Sequence, residues 1–436
     1  MEKIVTACVQ PRIFIPASRE EFETEARRFL RQAQAKGAQL VIFPELAGVM
    51  LAPLLINQVK LGFIKRADQG KQPQAGFVSR SLGRFSGATA GALGGGFLGS
   101  LKRLLDKRSD ELLDLYIDTF GQLAREFGTA IIGGSLYLYD AESNAIRNRA
   151  YVFDLDGEVL GYQDKLNLSA GEVEWATPGT DLTAIGTRWG RLGLLIGQDV
   201  LYPELGRLLA IQGADLFVSM VASPGAAPAS AVRSALSMRV EENQVYGAAS
   251  FLLGPDYLER PGMEQYYGQS ALLAPISLTE KGDGLLMQTG TNRTEGIFAT
   301  ALDLDALYDL RETSRFQPRR EMNLGSLGPV LATMYRDGLT IDQALSQGLA
   351  GPVAPLPGVD EWVVPLADTE EVGELSSAEP VEDTMPEPPS EPASEDESEP
   401  ALEDEIKPVE TPETQDIAAM MSLTEPLTEE EEPEQE

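Results

Sequence analysis

The chain has 436 residues, a formal net charge of −33, one cysteine and no histidine. One cysteine excludes an intrachain disulfide framework and suits a reducing compartment. Without histidine there is no Ser-His-Asp or Cys-His catalysis and no histidine metal site, so acid–base work falls to Glu, Asp, Lys or Tyr; calcium-loop spacing is absent too, and no cofactor is expected.

The opening "MEKIVTACVQP" runs straight into a strand, with no basic stretch followed by an apolar core. No signal peptide is expected, and the expected location is cytoplasmic. "REEFETEARRFLRQAQAKGA" places Phe22, Ala26, Phe29, Leu30 and Ala33 on one helical face. "QLVIFPE" reads as a buried strand, "DELLDLYIDTFGQLAREFG" as a helix and "TAIIGGSLYLYD" as a strand. "RAYVFDLDGEVLGYQDK" predicts a hairpin turning at Asp156-Gly157. "RLGLLIG" is a strand, "YPELGRLLAIQGA" a helix and "DLFVSMVAS" a strand. The helix "AVRSALSMRVEENQV" follows, then the strands "YGAASFLL", "SALLAP" and "GIFATALDL". This alternation predicts an α/β protein with large sheets and helices outside them. "GPVLATMYRDGLTIDQALSQGLAG" reads as one or two short helices packing on the body.

Two segments break the pattern. Residues 52–110 read as an insert between strand and helix, with about ten Lys or Arg against two Asp over 60–108. At its centre "FSGATAGALGGGFLGSL" carries Gly87, Gly91, Gly95 and Gly99 at a glycine-zipper spacing. Each glycine costs an exposed helix about 1 kcal/mol relative to alanine, so a flexible lid or loop is the first expectation. Contact with an anionic membrane surface is the second, since positive flanks enclose an uncharged centre. The other segment is the tail, 359–436, with about 28 acidic residues against the single basic Lys407. Rich in Pro, Glu and Ser, it is expected to be disordered. Its apolar island "DIAAMMSLTEPL" is a candidate docking motif for a protein partner at 416–424. No nucleic-acid partner is expected. The domain reading is therefore a catalytic-type body over 1–328 interrupted by the insert, a helical extension over 329–358, and the acidic tail.

Three residues fall at the C-terminal ends of predicted strands, where sites gather in α/β folds: Glu45 after "LVIFP", Lys165 after "VLGYQD" and Gly197 after "LGLLI". Here the sequence resembles the nitrilase superfamily, the carbon–nitrogen hydrolases. "VIFPELAG" is similar to the family's motif around its general-base Glu, which falls on Glu45. "YQDKLNLSAGE" is similar to the segment around its Lys, which falls on Lys165. "GLLIGQDVLYPELGRLLAIQGADLFV" resembles the nucleophile segment, and "RVEENQVYGAAS", "YGQSALLAP" and "TEGIFATALDLDAL" are further family-like stretches. The resemblance implies a four-layer α-β-β-α sandwich and a homodimer.

It also implies a chemistry: a Cys attacks an amide or nitrile carbon, Glu moves the protons, Lys holds the oxyanion, and a second Glu orients the site. That second Glu would be Glu172, with Glu174 the lesser choice by spacing. Gly197 stands where the Cys is expected, Gln198 where an aromatic follows it, and Asn167 where the family has His. Gln198, Asp199 and Asn167 are candidate ligand contacts. The only cysteine, Cys8, is expected in the core; Ser219 and Ser223, expected at the end of the next strand, are the remaining hydroxyls near the pocket. The first functional expectation is a pseudoenzyme that binds a small amide or carboxylate or serves as a scaffold. The alternative is a divergent amidohydrolase in which Glu45 activates a water and Lys165 holds the oxyanion.

Overall fold

The computed structural model describes residues 3–56, 96–258 and 265–315, with a few helical positions between 328 and 338. All of them belong to the compact unit Met1–Val364. The acidic tail, its apolar island, residues 57–95 and most of the 329–358 extension lie outside the described residues.

Two six-stranded sheets carry the fold. The first runs in the order β14 (Gly296–Asp303), β1 (Lys3–Gln10), β2 (Leu40–Ile42), β3 (Ala130–Asp140), β4 (Ala145–Phe153) and β5 (Val159–Asp164). The second runs β13 (Leu285–Gln288), β12 (Ala271–Leu273), β9 (Tyr246–Phe251), β8 (Leu216–Val221), β7 (Gly190–Ile196) and β6 (Ile185–Thr187). The minor pair β10 (Gly254–Pro255) and β11 (Gln265–Tyr266) completes the set. β1, β2 and β3 pair in parallel, as do β7, β8 and β9.

The period-two alternation of strand side chains makes four layers from these sheets. Cys8, Ile42, Ile132 and Val152 of the first sheet meet Leu194, Ile196, Val218 and Ala248 of the second in one buried cluster. The opposite face of the first sheet, with Val41 and Ile131, is covered by Phe22, Phe29 and Leu30 of α1 (Arg19–Gln34) and by Tyr116 and Phe120 of α2 (Gly96–Phe127). The outer face of the second, with Leu195 and Phe217, packs on Leu209 of α3 (Pro203–Ile211) and on Leu236 and Val240 of α4 (Ala226–Asn243). The α-β-β-α order expected from the resemblance is therefore present. The predicted face of α1 is the buried one, and Ser18 caps that helix by accepting from the Glu21 N–H at 3.2 Å. The β4–β5 hairpin turns at Asp156-Gly157, where Gly157 takes φ 76°.

The glycine-rich run departs from expectation. Helix α2 begins inside it, at Gly96, rather than at Asp110. Phe97, Leu101, Leu104 and Leu105 form an apolar stripe that is buried in the first sheet's outer core. That burial outweighs the glycine cost, which applies to a helix exposed to water. The helix kinks at Arg108 (φ −145°, ψ 32°), whose guanidinium donates to the Leu55 carbonyl at 2.8 Å. Helix α5 (Leu304–Thr313), which directly follows β14, is absent from the sequence reading, although Asp303 caps it by accepting from Ala306 N. Among the described residues no helix is long and apolar enough to cross a membrane.

Candidate functional site

Glu45 lies just past β2, Lys165 directly after β5 and Gly197 directly after β7. β5 is antiparallel to β4, which is antiparallel to β3, so β2 and β5 end on the same side of the first sheet. The turn carrying Glu45 depends on a glycine in β3. A Cβ on Gly134 (φ 71°) would stand 2.1 Å from the Pro44 carbonyl oxygen, and β3 shifts register against β4 between Ile132 and Ser135. The bulge lets the Pro44-Glu45 turn approach, and Ser135 Oγ accepts from Leu46 N at 3.1 Å.

Lys165 joins two carboxylates. Its Nζ is 2.7 Å from Glu45 Oε1, and 3.0 and 2.8 Å from the two oxygens of Glu172. All three residues are buried, at 2, 3 and 0 % exposure for Glu45, Lys165 and Glu172. Glu172 also accepts from the Tyr137 hydroxyl at 2.6 Å and from Ser169 N and Oγ at 2.8 Å each. Glu45 Oε2 accepts from Ala222 N at 2.9 Å. Asn148 Nδ2 sits between the carboxylates, 3.2 Å from Glu45 Oε1 and 3.4 Å from Glu172 Oε1. Burial works against the Lys165 ammonium, but the charges of Glu45 and Glu172 and their hydrogen bonds prevail and hold its pKa above the usual lysine range. Burial likewise opposes the Glu172 carboxylate. The Lys165 charge and the donors from Lys165, Tyr137 and Ser169 override it and hold its pKa below the usual range.

Gly197 faces this cluster. It takes φ 60°, and a Cβ placed on it would lie 2.8 Å from Lys165 Nζ and 2.9 and 3.0 Å from the Glu45 oxygens. Asp199 and Asn167, expected at the ligand, bind each other: Asp199 Oδ1 accepts from Asn167 N at 2.7 Å and Nδ2 at 3.0 Å. Its Oδ2 accepts from Leu166 N and Ile196 N, both at 3.2 Å. Asp199 thus clamps the loop after Lys165 to the end of β7. Burial pushes its pKa up to about 6, against the Lys165 charge and the Asn167 and Leu166 donors. Gln198 is half-buried beside Gly197, and Glu174 is exposed, away from the contacts that Glu172 makes.

Ser219 is not at a strand end. It lies inside β8, on the face of Phe217 and Val221 that packs on helices, and so points away from the layer between the sheets. Ser223 follows Ala222, and its buried hydroxyl has no partner. Cys8 is fully buried between the sheets, and burial pushes its thiol pKa up, which suppresses the thiolate. Among the described residues no group of three or more Asp, Glu or Cys could hold a metal ion. A separate cleft of about 300 Å³, lined by Phe14, Phe22, Phe29 and Phe43, excludes Glu45, Lys165 and Gly197. Tyr137, Asn148 and Ser169 were not anticipated as site residues; Asn148, a polar residue on the inward face shared with Ala150 and Val152, was the one available signal.

Comparison with known proteins gives the chain's family and fold. The sequence model of the Carbon-nitrogen hydrolase family matches residues 5–312. The "Probable hydrolase YhcX" of Bacillus subtilis is 29% identical over 208 residues, 47% of this chain and 40% of that protein. The "Probable nitrilase C965.09" of Schizosaccharomyces pombe is 27% identical over 195 residues, 44% of this chain and 66% of that protein. The chain thus spans less than two thirds of the length of either relative. The crystal structure of a carbon-nitrogen hydrolase from Helicobacter pylori G27 superposes with a TM-score of 0.53 at 20% identity, covering 74% of this chain and 96% of that one.

Proposed function

The chain belongs to the carbon-nitrogen hydrolase family, and on that premise we propose that it keeps the family's buried charged site without a nucleophile. In this reading Gly197 occupies the nucleophile position, Glu45, Lys165 and Glu172 are the retained base, cation and orienting acid, and the protein binds a small amide or carboxylate or acts as a scaffold. One observation carries it. The point where a side chain at 197 would begin lies within 3.0 Å of Lys165 Nζ and both Glu45 oxygens, so that position addresses the charged groups but brings no reactive atom to them. Covalent catalysis needs a nucleophile within hydrogen-bond reach of its base, and glycine supplies none. Cys8 cannot replace it from the core.

Gln198 goes with the ligand in this proposal, whereas Asp199 and Asn167 hold the loop that presents Lys165. A homodimer also fits. Leu201 and Tyr202 just before α3, Leu208 on it and Met238 on α4 are exposed apolar side chains of the kind a second copy would cover. Calorimetry against short amides and carboxylates tests the reading. Saturable binding is expected, and a Gly197→Cys variant that gains amide hydrolysis would strengthen it. Absence of binding across a broad panel would leave a purely structural role.

A second reading rests on Glu45 Oε2, which among the described residues accepts one hydrogen bond, from Ala222 N, and so has a lone pair open to a water's proton. Direct water attack by a Glu45-activated water would make the protein a divergent amidohydrolase. The three contacts on Lys165 Nζ weigh against its holding an oxyanion in the same state.

A further inference from the structure

The unused hydrogen-bonding capacity of the Glu45–Lys165–Glu172 cluster discriminates between ligand chemistries. Lys165 Nζ makes three oxygen contacts, at 2.7, 3.0 and 2.8 Å, two of them to the two oxygens of Glu172, so its N–H groups are committed to the two carboxylates with at most one to spare. Glu172 is saturated in turn by Lys165, Tyr137 and Ser169. Asn148 is oriented by the same logic. Carboxylates can only accept, so the amide nitrogen must face Glu45 and Glu172. Its carbonyl Oδ1 is the atom left over, buried and without a partner.

Glu45 Oε1 accepts from both Lys165 and Asn148, whereas among the described residues Oε2 accepts only from Ala222 N. Among the described residues the side-chain capacity that remains is mostly acceptor: Glu45 Oε2 and Asn148 Oδ1 against at most one N–H of Lys165.

Charge runs the same way. Among the described residues the cluster and its clamp set the carboxylates of Glu45, Glu172 and Asp199 against the single ammonium of Lys165. An incoming anion would meet like charge and more acceptors than donors, and burying polar atoms that lack partners is costly. An N–H donor finds open acceptors, and a cationic one also offsets the excess negative charge.

Resting on the binding reading above, we infer that this site selects a small nitrogenous N–H donor, best as an amidinium cation, and rejects the isosteric carboxylate. The amide arm of the proposed ligand class is kept and the carboxylate arm removed.

Acetamidine, acetamide and acetate share one planar shape and differ in charge and in their N–H groups, so titrating the three into the full chain, in phosphate buffer at neutral pH, isolates the inference. Acetamidine is expected to bind tightest and acetate weakest, with a gap of at least roughly tenfold. In Glu45→Gln, which places an N–H₂ group among the acceptors, the gap is expected to shrink or invert. Should that variant fold poorly, the ranking on the unaltered chain decides alone. Acetate binding as tightly as acetamidine would overturn this inference and leave the binding reading standing. No binding of any of the three to folded protein would overturn both.

Discussion

The two sheets contribute unequally to the site they enclose. From the first sheet and its loops come Glu45, Tyr137, Asn148, Lys165 and Glu172, charged and polar groups that bond one another and leave acceptor capacity at Glu45 Oε2 and Asn148 Oδ1. From the second come a glycine, a backbone N–H at Ala222 and the clamp Asp199. The first half is the costly one to build, because buried charges are tolerated only when paired and hydrogen-bonded. Most of its hydrogen bonds run between its own members, and Ala222 N–H is the one the second sheet supplies to Glu45 among the described residues.

Breaking the first half should have the largest effect. Lys165→Met would leave Glu45 and Glu172 buried without a counter-charge and is expected to cost about 4 kcal/mol of stability by urea unfolding. A neutral result there would mean the cluster is hydrated rather than paired.

Filling the second half should cost somewhat less. Gly197→Ala combines a left-handed backbone with a Cβ within 3.0 Å of Lys165 and Glu45, and is expected to cost about 3 kcal/mol. Gly37→Ala shares the backbone conformation (φ 73°) with nothing within 4 Å, and should cost about 1 kcal/mol. The difference between the two measures the crowding at position 197. Tyr137→Phe removes one hydroxyl from Glu172 while the ring stays packed on Trp175 at 4.4 Å, and should cost about 2 kcal/mol.

The smallest and most diagnostic contrast is in pH. Glu172 has its folded pKa depressed, so its stabilisation is present above the usual carboxylate range and is lost as pH falls through the depressed value. Asp199 has its folded pKa raised to about 6, so its contribution is full below its ordinary value and is lost as pH rises through about 6. Unfolding measured from acid to neutral pH should therefore give opposite slopes for the parent-minus-variant difference in Glu172→Gln and Asp199→Asn. Slopes of the same sign would refute the environments assigned to the two halves.

Much of this was legible in the sequence, for identifiable reasons. Glu45 and Lys165 follow apolar strand runs, and Glu172 lies close after Lys165, so strand-end logic and motif spacing find all three. Tyr137 and Asn148 sit within strands, where period two tells which face a residue takes but not what covers that face; the second sheet, which does so, pairs with nothing in the first. Ser219 was misplaced by the same limit, since a small shift in where β8 ends decides whether it lies at a tip or in a helix-facing row. The start of α2 was hidden because glycine frequency argues for a loop, whereas the Phe97, Leu101, Leu104 and Leu105 stripe decides the outcome only once a core exists to receive it.

Ammonia release from short amides by the unaltered chain, followed far enough to detect less than one turnover per site, tests the central claim most directly. The account predicts none above the uncatalysed rate. Sustained release that disappears in Glu45→Gln would contradict it and make the protein a hydrolase that uses a Glu45-activated water.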